Sequence, residues 1–315
     1  MRIRIDQRRN GKSVLDILRG ELALSSSVIT FLKNRESGIL VNGQHATVRK
    51  ILTIGDILSI NYDDTKENEN PTIVPVDLPI EIIYSDRDIL IVNKPPYMPT
   101  HPSHDHQQDT LANAVAYYYR ESKRPFVFRA INRLDNQTSG LVLLARNKIA
   151  AQFLSEDMVK GRIKKSYFAV VHGQPNPRDG RIYAPIRRRE DSKIMREVHP
   201  DGARSLTYYH TIASNDMYSA VFTSPISGRT HQLRVHFSHM GNSICGDTLY
   251  DYPCEYIERQ ALHAMQLIFP HPSSGEKMCI SAPLPKDIRD LCSSVFSFDD
   301  QRKIKNYRGL YDENQ

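Results

Sequence analysis

The 315-residue sequence lacks the features of membrane and secreted proteins. No stretch approaches the roughly 18 consecutive apolar residues of a transmembrane helix, so no membrane span is expected. The first 20 residues, MRIRIDQRRNGKSVLDILRG, carry positive charge but no uninterrupted apolar core and no small-residue cleavage site. A secretory signal is therefore not expected. Together these absences predict a cytoplasmic protein without a membrane partner.

Cysteine is scarce, and its spacing excludes some cysteine chemistry. The four cysteines form no CxxC pair: Cys245, Cys254, Cys279 and Cys292. This spacing argues against a zinc ribbon and against a dithiol redox motif. The simplest interpretation is four free thiols in a reducing compartment.

Three enzyme classes lack their motifs in this chain. NGKS at 10–13 resembles part of a phosphate-binding loop, but Asp6 stands where that loop needs its first glycine. The TSG and ISG triplets lack the first glycine of the GxSxG serine-hydrolase turn. The spacing of His231, His236 and His239 suggests metal ligands, but no HExxH or Cys/His framework accompanies it. No metal site is expected.

The chain has the composition of a protein with a full core, and its charge is unevenly distributed. Hydrophobic residues make up 40% of the sequence and charged residues 25%. The net charge is +6, and residues 1–60 contain ten Lys and Arg but five Asp and Glu. This segment therefore holds +5 of the total, which favours an RNA-binding module over a purely structural cap.

The residue pattern divides the chain into four parts. Residues 1–62 read as two short amphipathic helices and a small hairpin; Ser25, Ser26 or Ser27 could cap the second helix, and Gly38 could end it. An Asn42-Gly43 turn follows the first predicted strand. Residues 63–79 are polar with three prolines and read as a linker. The main domain is predicted at 80–293, and 294–315 as a tail that forms a peripheral helix or is partly disordered.

Strand patterns dominate after residue 80, and helical patterns do not alternate regularly with them. The predicted strands are EIIYSD, DILIVNK, LVLLARN, SYFAVVHG, YSAVFTSP and LHAMQLIFP. The predicted helices are TLANAVAYYYRES, IAAQFLSEDMV and RTHQLRVHFSHMG. This order predicts the α+β class, with a mixed, mainly antiparallel sheet.

Two polar segments are candidates for chemistry. In INRLDNQTSGLVLLARN (131–147), Asp135 lies on a loop that leads into a short, apolar, buried strand, a common place for catalytic groups. The alternative is an aspartate that closes a turn or pairs with Arg133 on the surface. In SGRTHQLRVHFSHMG (227–241), Arg229, His231, Arg234 and His236 crowd a short helix. A buried arginine there is suited to keeping a carboxylate ionised.

Five ordered motifs over roughly residues 80–290 resemble the RluA/RluD family of RNA pseudouridine synthases. INRLDNQTSG resembles that family's HRLDxxTSG signature; the others are YSDRDILIVNKPPYMPTHPS, KKSYFAVVHG, SGRTHQLRVHFSHMGNSICGD and LHAMQLIFPHPSSGEKMCISAPLP. Residues 1–62 resemble the α-L RNA-binding module first described in a ribosomal protein. Asn132 stands where many members have histidine, Pro96-Tyr97 replaces Ala-Gly, and Tyr250-Asp251 replaces Tyr-Gly. Positions 96–97 and 132 are expected near the RNA path.

The resemblance implies the isomerisation of uridine to pseudouridine, which needs no cofactor. Asp135 would attack the sugar or the uracil ring, or act as the base that starts elimination; the sequence leaves these routes open. Arg234 would pair with Asp135, and Tyr167 would stack on the flipped base. Arg133 would enter the RNA stack where the uridine left. Two further residues are predicted to bind substrate, namely Arg229 and His231. Leu134 should face the core.

The resemblance leaves the RNA open, although the N-terminal module favours ribosomal over transfer RNA. Two other functions are weaker alternatives: a non-catalytic RNA-binding factor in ribosome assembly, and a nucleoside or glycoside hydrolase that uses Asp135. No obligate protein partner is implied, and a monomer is expected.

Overall fold

The computed structural model describes residues 1–63, 70, 72–121, 125 and 127–306. Within them, a four-stranded sheet and a nine-stranded sheet pack against separate cores. Part of the predicted linker, residues 64–69 and 71, lies outside the described residues, as does the end of the chain after 306. No helix in the described part is long and apolar enough to cross a membrane.

The N-terminal unit combines two helical segments with a four-stranded antiparallel sheet of order β1-β4-β2-β3. Its elements are β1 (Arg2–Arg4), α1 (Val14–Asp16) continuing as a π-helical turn (Ile17–Glu21), α2 (Ser26–Lys33), β2 (Ile39–Val41), β3 (Gln44–His45) and β4 (Ile57–Ile60). A small core of buried Ile, Leu and Val side chains joins the helices to the sheet. This burial stabilises helices that are too short to be stable alone.

The predicted helix cap and hairpin turn of this unit are present in the structure. Ser25 caps α2 by accepting a hydrogen bond from the Val28 amide, as one of the three predicted serines should. Asn42 and Gly43 both have positive φ and form the predicted turn between β2 and β3. The prediction that α2 extends to Gly38 is wrong: the helix ends at Lys33.

The main sheet has nine strands, and its order is β5-β6-β7-β14-β8-β13-β12-β9, with β15 paired to β14. Its strands are β5 (Glu81–Ser85), β6 (Ile89–Lys94), β7 (Ser139–Ala145), β8 (Lys164–His172), β9 (Asp179–Tyr183), β12 (Leu206–Ser214), β13 (Tyr218–Pro225), β14 (Leu262–Pro270) and β15 (Lys277–Ser281). Only the β7–β14 pair is parallel among these strand pairs. The predicted α+β class with a mainly antiparallel sheet is confirmed.

Helices and one small hairpin surround the sheet. The helices are α3 (Leu111–Glu121), α4 (Lys148–Val159), α5 (Gln232–His239), α6 (Lys286–Val295) and α7 (Phe298–Asn306); the hairpin is β10 (Ile186–Arg188) and β11 (Arg196–Val198). α3, α4 and α5 fall where helical patterns were predicted. β7 is buried along its whole length, which explains its continuous apolar run.

Three features were not anticipated. Strands β1, β9 and β12 and the β10–β11 hairpin had no strand prediction. α6 runs through the expected boundary at residue 293, and Phe296 and Ile304 pack in the larger core, so that domain continues past 293. Part of the predicted linker also packs on the main domain, because the Val76 amide donates to the Asn113 carbonyl and Ile73 contacts the larger core.

Candidate active site

Asp135 lies on a loop that other side chains hold firmly. The Asn132 amide donates to the Leu141 carbonyl and accepts from the Leu143 amide, which ties the loop to β7. The Thr100 hydroxyl donates to the Leu134 carbonyl and accepts from its amide, and Leu134 faces the core as predicted. Asn132 therefore anchors the loop beside the cavity described below; the expectation that it lies near the RNA path stays a prediction.

The residues after Asp135 explain the TSG part of the signature. The Thr138 hydroxyl accepts a hydrogen bond from the Gln260 amide, and its main-chain amide donates to the Asp135 carbonyl. Gly140 has φ +116, and an added Cβ would lie 2.2 Å from the Ala264 carbonyl oxygen. Only glycine allows this close approach, which brings β7 beside β14. The strand start, and with it the loop, is thereby fixed.

Two fully buried cations donate hydrogen bonds to consecutive main-chain carbonyls of the same loop. Lys94 Nζ donates to the Asn136 carbonyl at 3.1 Å and to two other main-chain carbonyls, and Arg259 Nη1 donates to the Gln137 carbonyl at 3.0 Å. Burial and the charge of Arg259 lower the pKa of Lys94 to about 7, while the charge of Asp135 opposes that shift. These contacts restrain the main chain directly after Asp135.

Arg234 reaches Asp135 but is anchored by a second carboxylate. Its Nη1 lies 3.4 Å from Asp135 Oδ2, so the predicted pairing is geometrically present. Its Nε and Nη2 each lie 2.7 Å from the two oxygens of Asp247, a bidentate pair buried on both sides. Burial lowers the pKa of Arg234, but the hydrogen bonds and the charge of Asp247 outweigh burial and raise that pKa above its ordinary value. Arg234 is thus a permanent, oriented cation beside Asp135.

His231 and Tyr250 complete the surroundings of the Asp135 carboxylate. The Tyr250 hydroxyl accepts a hydrogen bond from the Arg196 amide at 2.8 Å and lies 2.8 Å from His231 Nδ1. The other ring nitrogen of His231, Nε2, lies 3.9 Å from Asp135 Oδ2. Burial lowers the pKa of His231 to about 4, so the ring is neutral at pH 7.

The two oxygens of Asp135 therefore differ. Arg234 and His231 both face Oδ2, and no group in the described part of the chain donates a hydrogen bond to Oδ1. The side chain is 20% exposed, which leaves Oδ1 accessible. A carboxylate held by one oxygen presents the other to a substrate.

Asp135 lies where two cavities meet. The first, of about 540 Å³, is lined by all six predicted site residues: Arg133, Asp135, Tyr167, Arg229, His231 and Arg234. The second, of about 640 Å³, lies between the 99–106 segment and Thr248-Leu249 and shares four of these residues, Arg133, Asp135, His231 and Arg234. Among the six, Arg133 and Arg229 are exposed. The structure thus brings the predicted residues together.

Tyr167 forms part of the wall of the first cavity. It lies on β8, which pairs with β13 and β14, and its side chain is buried. Burial and the negative charge of Asp135 raise the pKa of Tyr167 above its ordinary value, so the phenol stays protonated. A neutral ring beside the carboxylate can stack on a planar base without adding charge.

Several residues of the site were missed by the sequence-based prediction of roles. Asp247 anchors Arg234, the Tyr250 hydroxyl contacts His231 Nδ1, and the buried Lys165 lines the first cavity. A signal for Asp247 was present in the CGD triplet, because an added Cβ on Gly246 would lie 2.3 Å from the Arg259 carbonyl oxygen. That glycine is needed to place the carboxylate. His236, which looked like a metal ligand, is buried against Thr207 and the Ala184 carbonyl.

Comparisons with known proteins agree with this geometry. Residues 88–239 match the family model described as RNA pseudouridylate synthase. The uncharacterized RNA pseudouridine synthase YjbO of Bacillus subtilis (strain 168) is 38% identical over 86% of this chain and 95% of its own. The ribosomal large subunit pseudouridine synthase D of Blochmanniella floridana is 32% identical over 80% of this chain and 85% of its own. A solved structure, human RNA Pseudouridylate Synthase Domain Containing 1, superimposes with a TM-score of 0.53 at 28% identity, covering 65% of this chain and 83% of that one. The chain belongs to the RNA pseudouridine synthase family, whose members isomerise uridine to pseudouridine.

Proposed function

We propose that this pseudouridine synthase modifies uridines of ribosomal RNA and uses Asp135 as its catalytic carboxylate. The observation that carries this proposal is the arrangement of Asp135 itself. Its Oδ2 faces Arg234 and His231, its Oδ1 is left without a hydrogen-bond donor among the described residues, and it lies where the two cavities meet. Other carboxylates of the site, such as Asp247, are buried in ion pairs.

The isomerisation makes defined demands on this site. The bond from C1′ of ribose to N1 of uracil breaks, the base turns, and a bond from C1′ to C5 forms. The C5 proton leaves and N1 gains one, so no atom is gained or lost overall. Whether Asp135 attacks the sugar, attacks the ring or removes a proton, it must be ionised and close to the nucleotide. Arg234 places a permanent positive charge 3.4 Å from Asp135 Oδ2.

The remaining predicted residues would hold the RNA. Tyr167 provides a buried ring for the base, and His231 a neutral ring beside Asp135. The exposed Arg133 directly precedes the buried Leu134, so its guanidinium stands at the mouth of both cavities and can fill the gap in the stack. The exposed Arg229 can contact backbone phosphate at the rim of the first cavity.

Ribosomal RNA is favoured by two observations. A relative that matches 80% of this chain is named a ribosomal large subunit pseudouridine synthase. Residues 1–60 concentrate the positive charge of the protein, which gives a large structured RNA a second contact. The proposal includes a monomer that acts in the cytoplasm and needs no cofactor.

The proposal is tested with Asp135→Asn, which keeps the shape of the side chain but makes it a poor nucleophile and a poor base. We expect pseudouridine formation on ribosomal RNA to fall by at least ~1,000-fold while RNA affinity stays within about twofold. Single-turnover release of tritium from [5-³H]uridine RNA measures the rate. Asp201→Asn, an exposed carboxylate outside both cavities, is the control.

Two results would contradict the proposal. Turnover by Asp135→Asn within tenfold of wild type would remove the catalytic assignment. A pseudouridine map of total RNA, with and without the gene, that changes only in transfer RNA would remove ribosomal RNA as the substrate. Release of free uracil would indicate a hydrolase instead.

A further inference from the structure

Lys165 is a buried cation without a protein partner on the wall of the first cavity. It precedes Tyr167 by two residues on β8, so both side chains project from the same face of the strand. Both are over nine-tenths buried, at 7% and 8% exposure, and both line the cavity. In the described ranges, no side chain or carbonyl forms an ion pair or hydrogen bond with its ammonium group.

The other buried cations of this region are all satisfied. Arg234 and Arg259 have carboxylate partners, and Lys94 donates to three carbonyl oxygens. A buried ammonium without an acceptor is costly, because it loses its hydration and gains nothing in return. Burial accordingly lowers the pKa of Lys165. Its Nζ is not among the enclosed unpaired side-chain atoms of the described residues, so it opens into the cavity, where a bound substrate can supply the acceptor.

The position of the ammonium follows from its neighbours. A Cβ added to Gly228 would lie 3.6 Å from Lys165 Nζ, so the ammonium sits against the turn that leads to Arg229. The sheet register orders the groups: Tyr167 lies opposite Ala264, which pairs with Gly140 at the end of the Asp135 loop, whereas Lys165 lies opposite Leu267, farther along β14 from that loop. Lys165 is therefore farther from Asp135 than Tyr167 is. The cavity wall presents carboxylate, aromatic ring and ammonium in that order.

We propose that Lys165 determines specificity for uracil by donating a hydrogen bond to the C4 carbonyl oxygen of the flipped base. This inference rests on the proposed function. With C1′ at Asp135 and the ring on Tyr167, the atom of uracil farthest from C1′ faces Lys165, and that atom is the C4 oxygen. Cytosine carries an amino group there. An ammonium group can only donate hydrogen bonds. It can therefore pair with the C4 oxygen of uracil but not with the amino group of cytosine.

A backbone phosphate is the other oxygen acceptor that RNA could offer, and the geometry favours the base. Arg133 and Arg229 already present exposed cations at the rim, where a phosphate can remain hydrated. Lys165 lies on the same strand face as Tyr167, on which the base would stack, and the two side chains are about equally buried. The two sources differ in their dependence on salt, because only a phosphate contact releases a counterion.

The test compares Lys165→Met with Lys164→Met, the same change at the neighbouring lysine, which alternates to the other face of β8. We expect Lys165→Met to lower the single-turnover rate at saturating RNA by roughly 10- to 100-fold, as for loss of a hydrogen bond from a charged group. The salt dependence of RNA affinity should not change. Lys164→Met should stay within about twofold of wild type. Lys165→Leu, which also removes the donor, serves the same comparison if the methionine variant does not fold.

A short RNA that spans the mapped site supplies the second arm. When its target uridine is replaced by 4-thiouridine, a poorer acceptor at C4, the wild-type rate should fall and the Lys165→Met rate should not fall further. Equal losses in both proteins would overturn the assignment to C4. A salt slope lowered by about one, with the saturated rate unchanged, would assign Lys165 to phosphate and overturn the proposal. The rate of Asp135→Asn is measured in the same assay. If Asp135→Asn is inactive while Lys165→Met keeps the wild-type rate, the inference about Lys165 fails and the proposed function stands.

Discussion

Tyr97 occupies a backbone conformation that its side chain disfavours. Its φ is +61, in the left-handed region, and its ring is 53% exposed. Many members of the RluA/RluD family, which the sequence resembles, have glycine at this position. The positive φ gives the physical reason for that preference. Lys94 Nζ, which donates to the carbonyls of Pro95 and Met98, holds the turn on both sides of Tyr97. The turn is therefore kept in place although its central residue is strained.

We predict that Tyr97→Gly raises the stability of the main domain. Left-handed backbone costs a residue with a side chain about 1–2 kcal/mol, while glycine loses roughly 0.5–1 kcal/mol of extra chain entropy on folding. The net gain should raise the melting temperature by ~1–3 °C in a calorimetric scan. Tyr183→Gly, an exposed tyrosine within β9, is the control and should lower it. A lower melting temperature for Tyr97→Gly would show that the exposed ring contributes more than the strain costs.

At the level of elements, strands with both faces buried were predictable, whereas some partly exposed ones, such as β12, were not. β6, β7 and β8 read as short apolar runs because nearly all their residues are buried. In β12 the buried positions include Thr207, Tyr209 and Thr211. Buried and exposed residues therefore alternate along this strand, but apolar and polar residues do not. Such a strand is recognised only through its partners, here β9 and β13.

The candidate site shows the same limit. Asp135 could be predicted because its loop precedes a clear strand, and Arg234 because it belongs to a distinctive motif. The Asp247 anchor and the unpaired state of Lys165 depend on which groups meet in three dimensions. Sequence spacing carries no direct information on such contacts. The residue types were visible, and their partners were not.

Helix α4 connects the two units of the structure. Gln152 accepts a hydrogen bond from the Ser25 amide at 2.8 Å and donates to the Ala23 carbonyl at 2.9 Å. Ile149 is buried in the small N-terminal core and Phe153 packs against it. α4 therefore holds the N-terminal unit at the turn before α2, and removal of residues 1–62 would expose an apolar face of the main domain.

We predict that Gln152→Ala loosens this contact without unfolding either unit. Two hydrogen bonds worth about 1 kcal/mol each are lost. Exchange of the Ser25 amide with solvent should therefore become at least about tenfold faster, as measured by hydrogen exchange and NMR. Ser155→Ala, an exposed position on the same helix, should leave it unchanged. Unaltered exchange in Gln152→Ala would mean that apolar packing alone holds the unit.

For the whole molecule, the distribution of charge bears on how RNA is held. Several cations of the N-terminal unit are internally paired, such as Arg9 and Lys12, which both contact Glu21. Several exposed ones, among them Arg8, Arg49 and Lys50, have no ion-pair partner in the described part of the chain. The segments around them are adjacent, because the amides of Gly11 and Val14 donate to the carbonyls of Leu52 and Lys50. These side chains are free to meet phosphates.

The replacement of Arg8, Arg49 and Lys50 by glutamine should weaken RNA binding through lost phosphate contacts, with the chain left whole and the unit docked. Each lost contact lowers the slope of log affinity against log salt by about one, so the slope should become shallower by up to about three. The single-turnover rate at saturating RNA should stay within about twofold, since Asp135 and Tyr167 lie outside the unit. The control removes the same charge from the C-terminal helices: Lys286, Lys303 and Lys305 to glutamine. If both triple variants lower the slope equally, net charge and not the N-terminal unit governs binding; if neither does, the N-terminal unit does not hold this RNA.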